Sequence, residues 1–409
     1  MNYLLQLHSF VNNQQLTISG SKSETNRLLI LQKLFPDLKI ENASDADDSL
    51  VMQQCLENDD EIKDVHHAGT ALRFLLSYYA LIEEKEIILT GSDRMKQRPI
   101  KLLVDALQKL GADISYLEQE GYPPLKIKGV KSLKSEVEID VNISSQYISS
   151  LLLIAAALPN GLKLKLQGDI TSRPYIDMTL QILNSLGIQT SMKGQVIQVV
   201  PSKSLKQTHF VVESDWSSAS YFYSLIALAP IGSKISLKNF RQNSLQADTV
   251  LPELYTEFGV ETKFDFPYIH IEKVKNNTPS FVAFNLNDSP DIAQTIAVTC
   301  LGLGIKCSLT GLHTLKIKET DRLQALKNEF EKFGASVEIS NDSFELRNQV
   351  YFSDNSIEIA TYQDHRMAMA FAPLVFKQSL LIQEAEVVSK SYPSFWDDFQ
   401  LLGLKITKR

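Results

Sequence analysis

The sequence has few cysteines and no excess of positive charge. Its three cysteines, Cys55, Cys300 and Cys307, are odd in number and form no CxxC pair, so we expect a reducing compartment, the cytoplasm. The formal net charge is −7, which argues against a nucleic-acid partner because phosphate backbones require a basic surface. An anionic ligand would therefore need a local cluster of Lys and Arg.

The sequence also lacks a membrane segment and a nucleotide-binding loop. The start, MNYLLQLHSFVNN, has no basic segment and too short an apolar run for a signal peptide. The longest apolar stretch, residues 147–158, is too short to cross a bilayer, and we predict a buried helix there. The absence of GxxxxGK[ST] excludes a P-loop. The 409 residues, 44% of them hydrophobic, are enough for two domains.

Five segments share a pattern in which an amphipathic helix ends at a glycine between apolar residues and a short strand follows. Successive glycines lie 76, 72, 75 and 69 positions apart, which indicates an internal repeat of about 70 residues. Glycine is the usual left-handed cap at a helix end, so one such glycine alone would mean little. The five are Gly111, Gly187, Gly259, Gly334 and Gly403.

A second series consists of polar clusters that each open a strongly apolar helix. We infer six units, each with two helices and several short strands, in which the apolar helices are buried. A helix N-terminus attracts phosphates and carboxylates, although Ser, Thr, Asp and Asn at these places are also ordinary N-caps. The clusters start near Ser21, His67, Ser144, Asp215, Asp288 and Tyr362.

Several of these clusters also carry cations or neutral hydrogen-bonding groups. Each by itself has a plain interpretation as a capped surface helix, a solvated basic loop or an i,i+4 ion pair. Their occurrence together favours a site for an anionic, hydroxylated ligand. The motifs are GSKSETNR at residues 20–27, AGTALR at 68–73, RMKQRP at 94–99, SSQ at 144–146, SRPYID at 172–177, KETDR at 318–322, DHRMAMA at 364–370 and KSYP at 390–393.

In this order the motifs resemble the signature of the EPSP synthase family of enolpyruvyl transferases, over residues 20–393. The resemblance implies an α/β fold of two similar domains, each with three βαβαββ units in a pseudo-threefold arrangement around buried helices. It also implies that the chain starts in one domain, builds the other and returns. We therefore expect one domain from residues 1–20 with 214–409, and an inserted domain from residues 21–213.

The resemblance implies transfer of the enolpyruvyl group of phosphoenolpyruvate to the 5-hydroxyl of shikimate 3-phosphate, in the shikimate pathway to chorismate. The reaction would pass through a tetrahedral intermediate that eliminates phosphate. It implies a monomer with small-molecule substrates and without a metal or organic cofactor. The adjacent His66 and His67 would point to opposite faces of a strand, so they offer no metal site.

The family's binding residues carry over to this chain motif by motif. For shikimate 3-phosphate they are Lys22, Ser23, Arg27, Ser144, Ser145, Gln146, Ser172, Tyr175, Asp291, Thr314 and Lys318. For phosphoenolpyruvate they are Lys22, Gly69, Arg98, Gln146, Arg322, Arg366 and Lys390. Three positions depart from the family pattern: His67 and Thr314 each stand where Asn is common, and Ser19 stands where Pro is common before Gly20.

The resemblance places the chemistry on Asp291 and Glu319, assisted by Lys22. The reaction needs a proton delivered to the methylene carbon of phosphoenolpyruvate and one removed from the attacking hydroxyl, and two carboxylates in different environments can do both. We assign the first role to Glu319 and the second to Asp291, with Lys22 as a competitor for either. Arginines suit the phosphates and carboxylates of both substrates because the guanidinium binds such groups bidentately.

Three alternatives remain at this point. The sister enzyme that acts on UDP-N-acetylglucosamine carries a Cys in a mobile loop near the Arg98 region, whereas residues 89–98 contain none here. A catalytically inactive anion-binding paralogue would be expected to lose Lys22, Asp291 or Glu319, and all three are present. A structural repeat protein would explain the periodicity but not the charged residues at the helix starts.

Overall fold

A computed structural model describes residues 1–140, 145–168, 173–276 and 279–409. The strands are β1 Tyr3–Leu7, β2 Gln14–Thr17, β3 Lys39–Glu41, β4 Ile62–Asp64, β5 Glu86–Thr90, β6 Asp113–Tyr116, β7 Leu125–Lys128, β8 Glu136–Asp140, β9 Leu162–Gln167, β10 Thr190–Lys193, β11 Val196–Val199, β12 His209–Val211, β13 Lys234–Lys238, β14 Val260–Asp265, β15 Tyr268–Lys273, β16 Phe281–Asn285, β17 Lys306–Thr310, β18 Val337–Ile339, β19 Phe344–Leu346, β20 Ile357–Ile359, β21 Leu380–Ile382 and β22 Leu404–Lys408.

The helices alternate with these strands along the chain. The α-helices are α1 Lys22–Leu34, α2 Asp47–Glu57, α3 Gly69–Tyr79, α4 Asp93–Lys96, α5 Lys101–Leu110, α6 Ser145–Ala155, α7 Arg173–Ser185, α8 Trp216–Leu228, α9 Leu251–Leu254, α10 Ala293–Leu303, α11 Arg322–Glu331, α12 His365–Phe371 and α13 Phe395–Leu401. Short 3₁₀ helices cover Ala247–Val250, Tyr255–Phe258, Pro290–Ile292, His313–Ile317, Ala372–Phe376 and Ala385–Lys390.

The chain folds into two compact units. The terminal unit comprises Met1–Ser19 with Glu213–Arg409, and the inserted unit comprises Gly20–Val212. Each junction lies one residue before the boundary expected from the sequence. The α/β class, with small sheets and helices in repeated units, agrees with the prediction.

In the terminal unit three four-stranded sheets share one topology. Their orders are β14-β15-β13-β2, β16-β17-β19-β18 and β20-β21-β1-β22. Each contains one parallel pair, β2 with β13, β16 with β17 and β20 with β21, and its other pairs are antiparallel. A parallel pair needs a crossover, and in the second and third sheets that crossover runs through a buried helix, α10 or α12. The third sheet is completed by β1 pairing with β22.

The inserted unit repeats this topology twice and departs from it once. Its four-stranded sheets have the orders β4-β5-β7-β6 and β10-β11-β9-β8. The third sheet has only the parallel pair of β3 and β12 among the described residues. The expected hairpin is missing because α2 ends at Glu57 and β4 begins at Ile62, so the intervening residues 58–61 cannot form two strands.

Three apolar helices form the core of each unit. Helices α1, α3 and α6 pack against one another in the inserted unit, and α8, α10 and α12 do so in the terminal unit. They begin close to the six predicted clusters, and α6 confirms the buried helix predicted over residues 147–158. Their polar side chains bond to each other, for example Ser224 with Thr299 at 2.8 Å. Such pairing removes the cost of burying a hydroxyl.

The five repeat glycines all follow helical segments and have positive φ, from 73° to 106°. This confirms the predicted left-handed caps. The helix before Gly259 is less regular than expected, since it consists of α9 and a 3₁₀ turn. Pro252 lies at its start and leaves about two turns before the cap, a length at which tight 3₁₀ bonds are common. Over the described parts of the chain, none of the helices has both the length and the apolar character needed to span a bilayer.

Candidate active site

In the terminal unit three carboxylates surround the guanidinium of Arg322. Asp321 caps α11 by accepting from the main-chain N–H groups of Leu323 and Gln324, which places Arg322 in the first helical position. The Arg322 side chain is buried. Its nitrogens donate to Asp364 at 2.7 Å, Glu319 at 2.8 Å and Asp291 at 3.1 Å. These residues come from three segments of the chain: the KETDR motif at the start of α11, the turn before α12 and the 3₁₀ turn before α10.

A second buried arginine, Arg366, approaches Asp291 from the start of α12. Asp364 caps this helix by accepting from the N–H of Arg366 at 2.9 Å. The Arg366 guanidinium lies 3.2 Å from a carboxylate oxygen of Asp291 and donates to its main-chain carbonyl at 3.0 Å. Lys318 lies 3.6 Å from the same carboxylate. Asp291 therefore has three cationic neighbours.

The charges in this cluster set its ionisation. Burial would raise the pKa of Asp291, but Arg366, Lys318 and Arg322 outweigh burial and hold that pKa well below its ordinary value. Burial would likewise lower the pKa of Arg322, which the carboxylates of Asp364, Glu319 and Asp291 instead raise. Asp291 is therefore a carboxylate at neutral pH, and Arg322 is a cation.

Asp248 is a buried carboxyl group beside this cluster. The hydroxyl of Ser217 donates to Asp248 and accepts from Arg366 at 3.3 Å. Burial, followed by the nearby charge of Asp291, raises the pKa of Asp248 to about 7. Asp248 thus titrates near neutral pH, unlike Asp291 in the same unit.

The remaining predicted residues of the terminal unit lie on neighbouring turns. Lys390 donates from Nζ to the main-chain carbonyl of Gln363 at 2.8 Å, next to Asp364. Thr314 belongs to the 3₁₀ turn His313–Ile317, and its Oγ1 is buried without a hydrogen-bond partner among the described residues.

In the inserted unit Arg27 is buried among neutral oxygens. Its guanidinium donates to the hydroxyls of Thr179 and Ser149 at 2.8 and 3.2 Å. It also donates to the carbonyls of Ser23 and Tyr175 at 2.7 and 3.1 Å. Within the described residues no carboxylate forms a salt bridge with Arg27. Burial lowers its pKa to about 10, so it remains a cation at neutral pH.

Lys22 occupies the first position of α1, beside the cap residue Ser21. Its ammonium group lies 3.0 Å from the carboxylate of Asp48 at the start of α2. Both side chains are partly exposed. An anion that approached the start of α1 would meet this ammonium group together with the first N–H groups of the helix.

Gly69 and Arg98 lie in direct contact. A Cβ at Gly69 would come within 2.4 Å of a guanidinium nitrogen of Arg98, so only glycine permits this approach. Arg73 of the same helix donates to the carbonyl of Gly69 at 2.6 Å. On α6, Gln146 donates to the hydroxyl of Thr70 at 3.0 Å. The AGTALR, RMKQRP and SSQ motifs therefore meet within this unit.

His67, a departure from the family pattern, also has a local partner. Its Nδ1 forms a 2.9 Å hydrogen bond with the hydroxyl of Ser92. Ser92 in turn caps α4 by accepting from Met95. His67 thus connects the segment before Gly69 to the segment that carries Arg98.

Two predicted residues, Ser144 and Ser172, lie outside the described residues. Ser145 begins α6 and is buried, and the carbonyl of Tyr175 accepts from Arg27. Three carboxylates near predicted cations were not among the predicted site residues: Asp48 and Asp364, which contact Lys22 and Arg322, and Asp248, which is linked to Arg366 through the hydroxyl of Ser217. Of these only Asp364 had a signal, since it belongs to the DHRMAMA motif.

The structure contains no arrangement typical of a metal centre in the part of the chain that it describes. No group of three or more His, Cys, Asp or Glu residues there could hold a metal ion. The cluster around Arg322 instead alternates cations and carboxylates.

Comparisons with known proteins agree with one another. The family model described as EPSP synthase (3-phosphoshikimate 1-carboxyvinyltransferase) matches residues 33–399. A 3-phosphoshikimate 1-carboxyvinyltransferase of Bacteroides fragilis is 42% identical over 418 residues, covering 99% of both chains. One of Haemophilus influenzae is 34% identical over 430 residues, covering 95% of this chain and 96% of its own. The solved EPSP synthase of Acinetobacter baumannii, at 19% identity, superposes with a TM-score of 0.78 over 100% of both chains.

Proposed function

Because the chain belongs to the EPSP synthase family, we propose that it transfers the enolpyruvyl group of phosphoenolpyruvate to the 5-hydroxyl of shikimate 3-phosphate and releases phosphate. The observation that carries this proposal is the cluster in which Arg322 and Arg366 both contact Asp291. Such a cluster offers guanidinium groups for anions and a carboxylate for proton transfer. The two units then correspond to the two domains of the family's fold.

Shikimate 3-phosphate is assigned to the polar helix starts of the inserted unit, with three groups of the terminal unit. Arg27 supports this assignment because its positive charge has only neutral hydrogen-bond partners among the described residues. A phosphate near it would gain a direct charge-assisted hydrogen bond, which no carboxylate of the described residues makes to Arg27. The proposed contacts are Lys22, Ser23, Arg27, Ser144, Ser145, Gln146, Ser172, Tyr175, Asp291, Thr314 and Lys318.

Phosphoenolpyruvate is assigned to the remaining cations. In the terminal unit Arg322 donates to three carboxylates, and Arg366 contacts the carboxylate of Asp291. The ligand's phosphate and carboxylate would therefore compete with Asp291 and Glu319 for these guanidinium groups. In the inserted unit the absence of a Cβ at Gly69 leaves room for the guanidinium of Arg98 beside the start of α3. The proposed contacts are Lys22, Gly69, Arg98, Gln146, Arg322, Arg366 and Lys390.

This competition also gives a route to catalysis. In the unit as described, Asp291 is a weak base because three cations hold its pKa low. A bound anion would draw the two arginines away from Asp291 in part, and the carboxylate would become more basic. Asp291 would then accept the proton of the 5-hydroxyl as that oxygen attacks the C2 carbon of phosphoenolpyruvate.

The second proton goes to the methylene carbon, C3. We assign its delivery to Glu319, whose carboxylate contacts Arg322 at 2.8 Å and is partly exposed, so that it would take up a proton from solvent when the bound anion displaces it from Arg322. Addition of the 5-oxygen of shikimate 3-phosphate to C2 and of the proton to C3 gives a tetrahedral ketal phosphate. Loss of a C3 proton and of phosphate from C2 then restores the enol double bond. Lys22 competes with Glu319 and Asp291 for these proton transfers, since its ammonium group is partly exposed at the start of α1.

A coupled assay of phosphate release tests the proposal. The protein mixed with shikimate 3-phosphate and phosphoenolpyruvate should release phosphate, and each substrate alone should release none. Release with UDP-N-acetylglucosamine in place of shikimate 3-phosphate would instead assign the chain to the sister activity. Absence of release with either acceptor would contradict an active transferase.

The cellular location, the oligomeric state and the partners of the enzyme belong to the proposal as well. The enzyme acts as a cytoplasmic monomer on small-molecule substrates, without a nucleic-acid or membrane partner and without a cofactor. The three reduced, buried cysteines and the acidic net charge support this setting. Light scattering after size exclusion should give a mass near 46.0 kDa, whereas a dimer mass would contradict the monomer.

A further inference from the structure

The loop that joins β20 to α12, residues 360–364, has a strained backbone. Tyr362 and Gln363 both have φ of +54°, a region that residues with a side chain rarely adopt. Two such residues in succession persist only when their surroundings hold them there. The contacts of this loop should therefore explain what holds it.

The loop determines the positions of several groups assigned above to phosphoenolpyruvate. Asp364 accepts from Arg322 and caps the helix that carries Arg366. The carbonyl of Gln363 accepts from Lys390 at 2.8 Å. If the turn at Tyr362 and Gln363 relaxed to a right-handed conformation, both of these oxygens would move. Arg322, Arg366 and Lys390 would then lose the partners that fix them.

Glu329 is a buried carboxylate that holds the loop from outside this cluster. Its side chain is fully buried, and its Oε1 accepts from the hydroxyl of Tyr362 at 2.7 Å. Its Oε2 accepts from the main-chain N–H of Ala360 at 3.1 Å and from the ammonium group of Lys332 at 2.6 Å. One carboxylate thus binds both the start of the loop and its strained tyrosine.

Glu329 lies on the same helix as Arg322. The two residues are seven positions apart on α11, which is two turns, so they share a face and stand about 10 Å apart along the axis. Arg322 binds Asp364 at one end of the loop, and Glu329 binds Ala360 and Tyr362 toward the other. Helix α11 therefore fixes the loop at two points.

We propose that Glu329 and Tyr362 are positioning residues for phosphoenolpyruvate binding, which hold the left-handed turn and through it the orientation of Arg322, Arg366 and Lys390. Neither residue belongs to the binding set assigned above. The inference rests on the proposed function, because it names the ligand of this cluster. It differs from a purely structural role, since loss of the bond between Glu329 and Tyr362 should weaken the binding of phosphoenolpyruvate but not that of shikimate 3-phosphate.

The variants Tyr362→Phe and Glu329→Gln test the proposal. Each removes or weakens the bond between the two side chains at nearly constant volume. Tyr351→Phe and Glu331→Gln are matched controls, because Tyr351 is 94% exposed and Glu331 is an exposed residue of the same helix. Steady-state kinetics with each substrate varied in turn, together with thermal unfolding, should be measured for all four and for the unmodified enzyme.

We expect KM for phosphoenolpyruvate to rise about tenfold in each test variant, the loss produced by one hydrogen bond. KM for shikimate 3-phosphate should change by less than about twofold, and the controls should match the unmodified enzyme in both. The double variant should be no worse than the more impaired single variant, since both act through one contact.

The outcomes separate the two proposals. If the unmodified protein does not turn over, the proposed function fails and the positioning role fails with it. If the unmodified protein is active, a variant with unchanged KM for phosphoenolpyruvate overturns the positioning role alone. An equal rise of both KM values overturns it too and leaves a structural role. Should Glu329→Gln not fold, Tyr362→Phe decides, because it keeps the buried carboxylate and its pairing with Lys332.

Discussion

The guanidinium of Arg366 meets Asp291 twice, at a carboxylate oxygen 3.2 Å away and at the main-chain carbonyl 3.0 Å away. The second contact does not depend on the charge of Asp291. The variant Asp291→Asn should therefore retain the arginine in place while losing the base. We expect kcat to fall by about 10²–10⁴-fold, as for loss of a general base, and KM for phosphoenolpyruvate to stay constant or fall, because an anionic competitor is gone.

Steady-state kinetics with single-turnover measurements would check this. A rise in KM for phosphoenolpyruvate as large as the fall in kcat would show that Asp291 holds the arginines in place and is not the base. Asp288→Asn is a suitable control, since Asp288 lies exposed on the same segment, three residues earlier.

Glu319→Gln keeps a hydrogen-bond acceptor for Arg322 but removes a transferable proton. Turnover should fall by about 10²-fold or more, with much smaller changes in the binding of either substrate. Isothermal titration of shikimate 3-phosphate, beside kcat, would measure the two effects separately. Loss of binding in proportion to turnover would make Glu319 a structural partner of Arg322 only.

The raised pKa of Asp248 predicts a pH-dependent stability. The carboxyl binds its proton more tightly in the folded chain, with a pKa of about 7, than in the unfolded chain, where Asp has a pKa of about 3.9. Its contribution is fully present below the unfolded pKa and is lost as the pH rises through the folded pKa. Asp248→Asn stays neutral, so its stability relative to the unmodified chain should increase with pH over this window, on the order of 1 kcal/mol per pH unit.

Urea unfolding of the Asp248→Asn variant and the unmodified protein at about pH 5, 6, 7 and 8 would measure this difference. The difference should level off above about pH 7. Two parallel stability profiles would contradict a titration of Asp248 in this range.

Gly69→Ala should displace the guanidinium of Arg98, because the added Cβ would lie 2.4 Å from one of its nitrogens. We expect KM for phosphoenolpyruvate to rise about tenfold, the effect of losing one good polar contact, while KM for shikimate 3-phosphate is retained. In an Arg98→Ala background the same change should add little. Full additivity of the two variants would show that Gly69 acts through some other contact.

Arg27→Lys preserves the positive charge but removes the several N–H donors of the planar guanidinium group. The nitrogens of the guanidinium donate to the hydroxyls of Thr179 and Ser149 and to two main-chain carbonyls. The single nitrogen of a lysine side chain cannot reach all four of these oxygens. Leaving part of this buried set unsatisfied should cost about 1–3 kcal/mol of unfolding free energy and weaken shikimate 3-phosphate binding. Denaturant unfolding and calorimetry would measure both, with the half-exposed Arg347→Lys as control. Unchanged stability would show that the lysine finds equivalent partners.

The sequence predicted the parts of the fold that depend on local pattern. The buried helices begin where polar clusters open apolar runs, and the repeat glycines adopt positive φ, because capping and amphipathic spacing are local properties. The missing hairpin after α2 was not predicted. The glycine series does not include this unit, but the cluster series shows it, since Ser21 and His67 lie 46 positions apart whereas the later cluster starts lie 71 to 77 apart.

The candidate site was predictable in its cations but not in most of its carboxylates. Arg322 and Arg366 belong to recognisable motifs, whereas Asp48 and Asp248 lie in segments without a pattern. Asp248 becomes significant only because packing buries it beside Asp291 and Ser217. Glu329 is similar, since an ordinary helical glutamate acquires a role only when the loop from residues 360–364 folds against it.

The pairing of β1 with β22 has a consequence for synthesis on the ribosome. The inserted unit is one continuous stretch, Gly20–Val212, and can fold as soon as it emerges. Strand β1 is made first, yet its partner Leu404–Lys408 is made after nearly the whole chain. At about 5–20 residues per second, roughly 20 to 80 seconds pass before β22 is made, and the other partner of β1, Leu380–Ile382, is also made late. Chaperones that bind extended apolar segments would have their longest opportunity there, at residues 3–7.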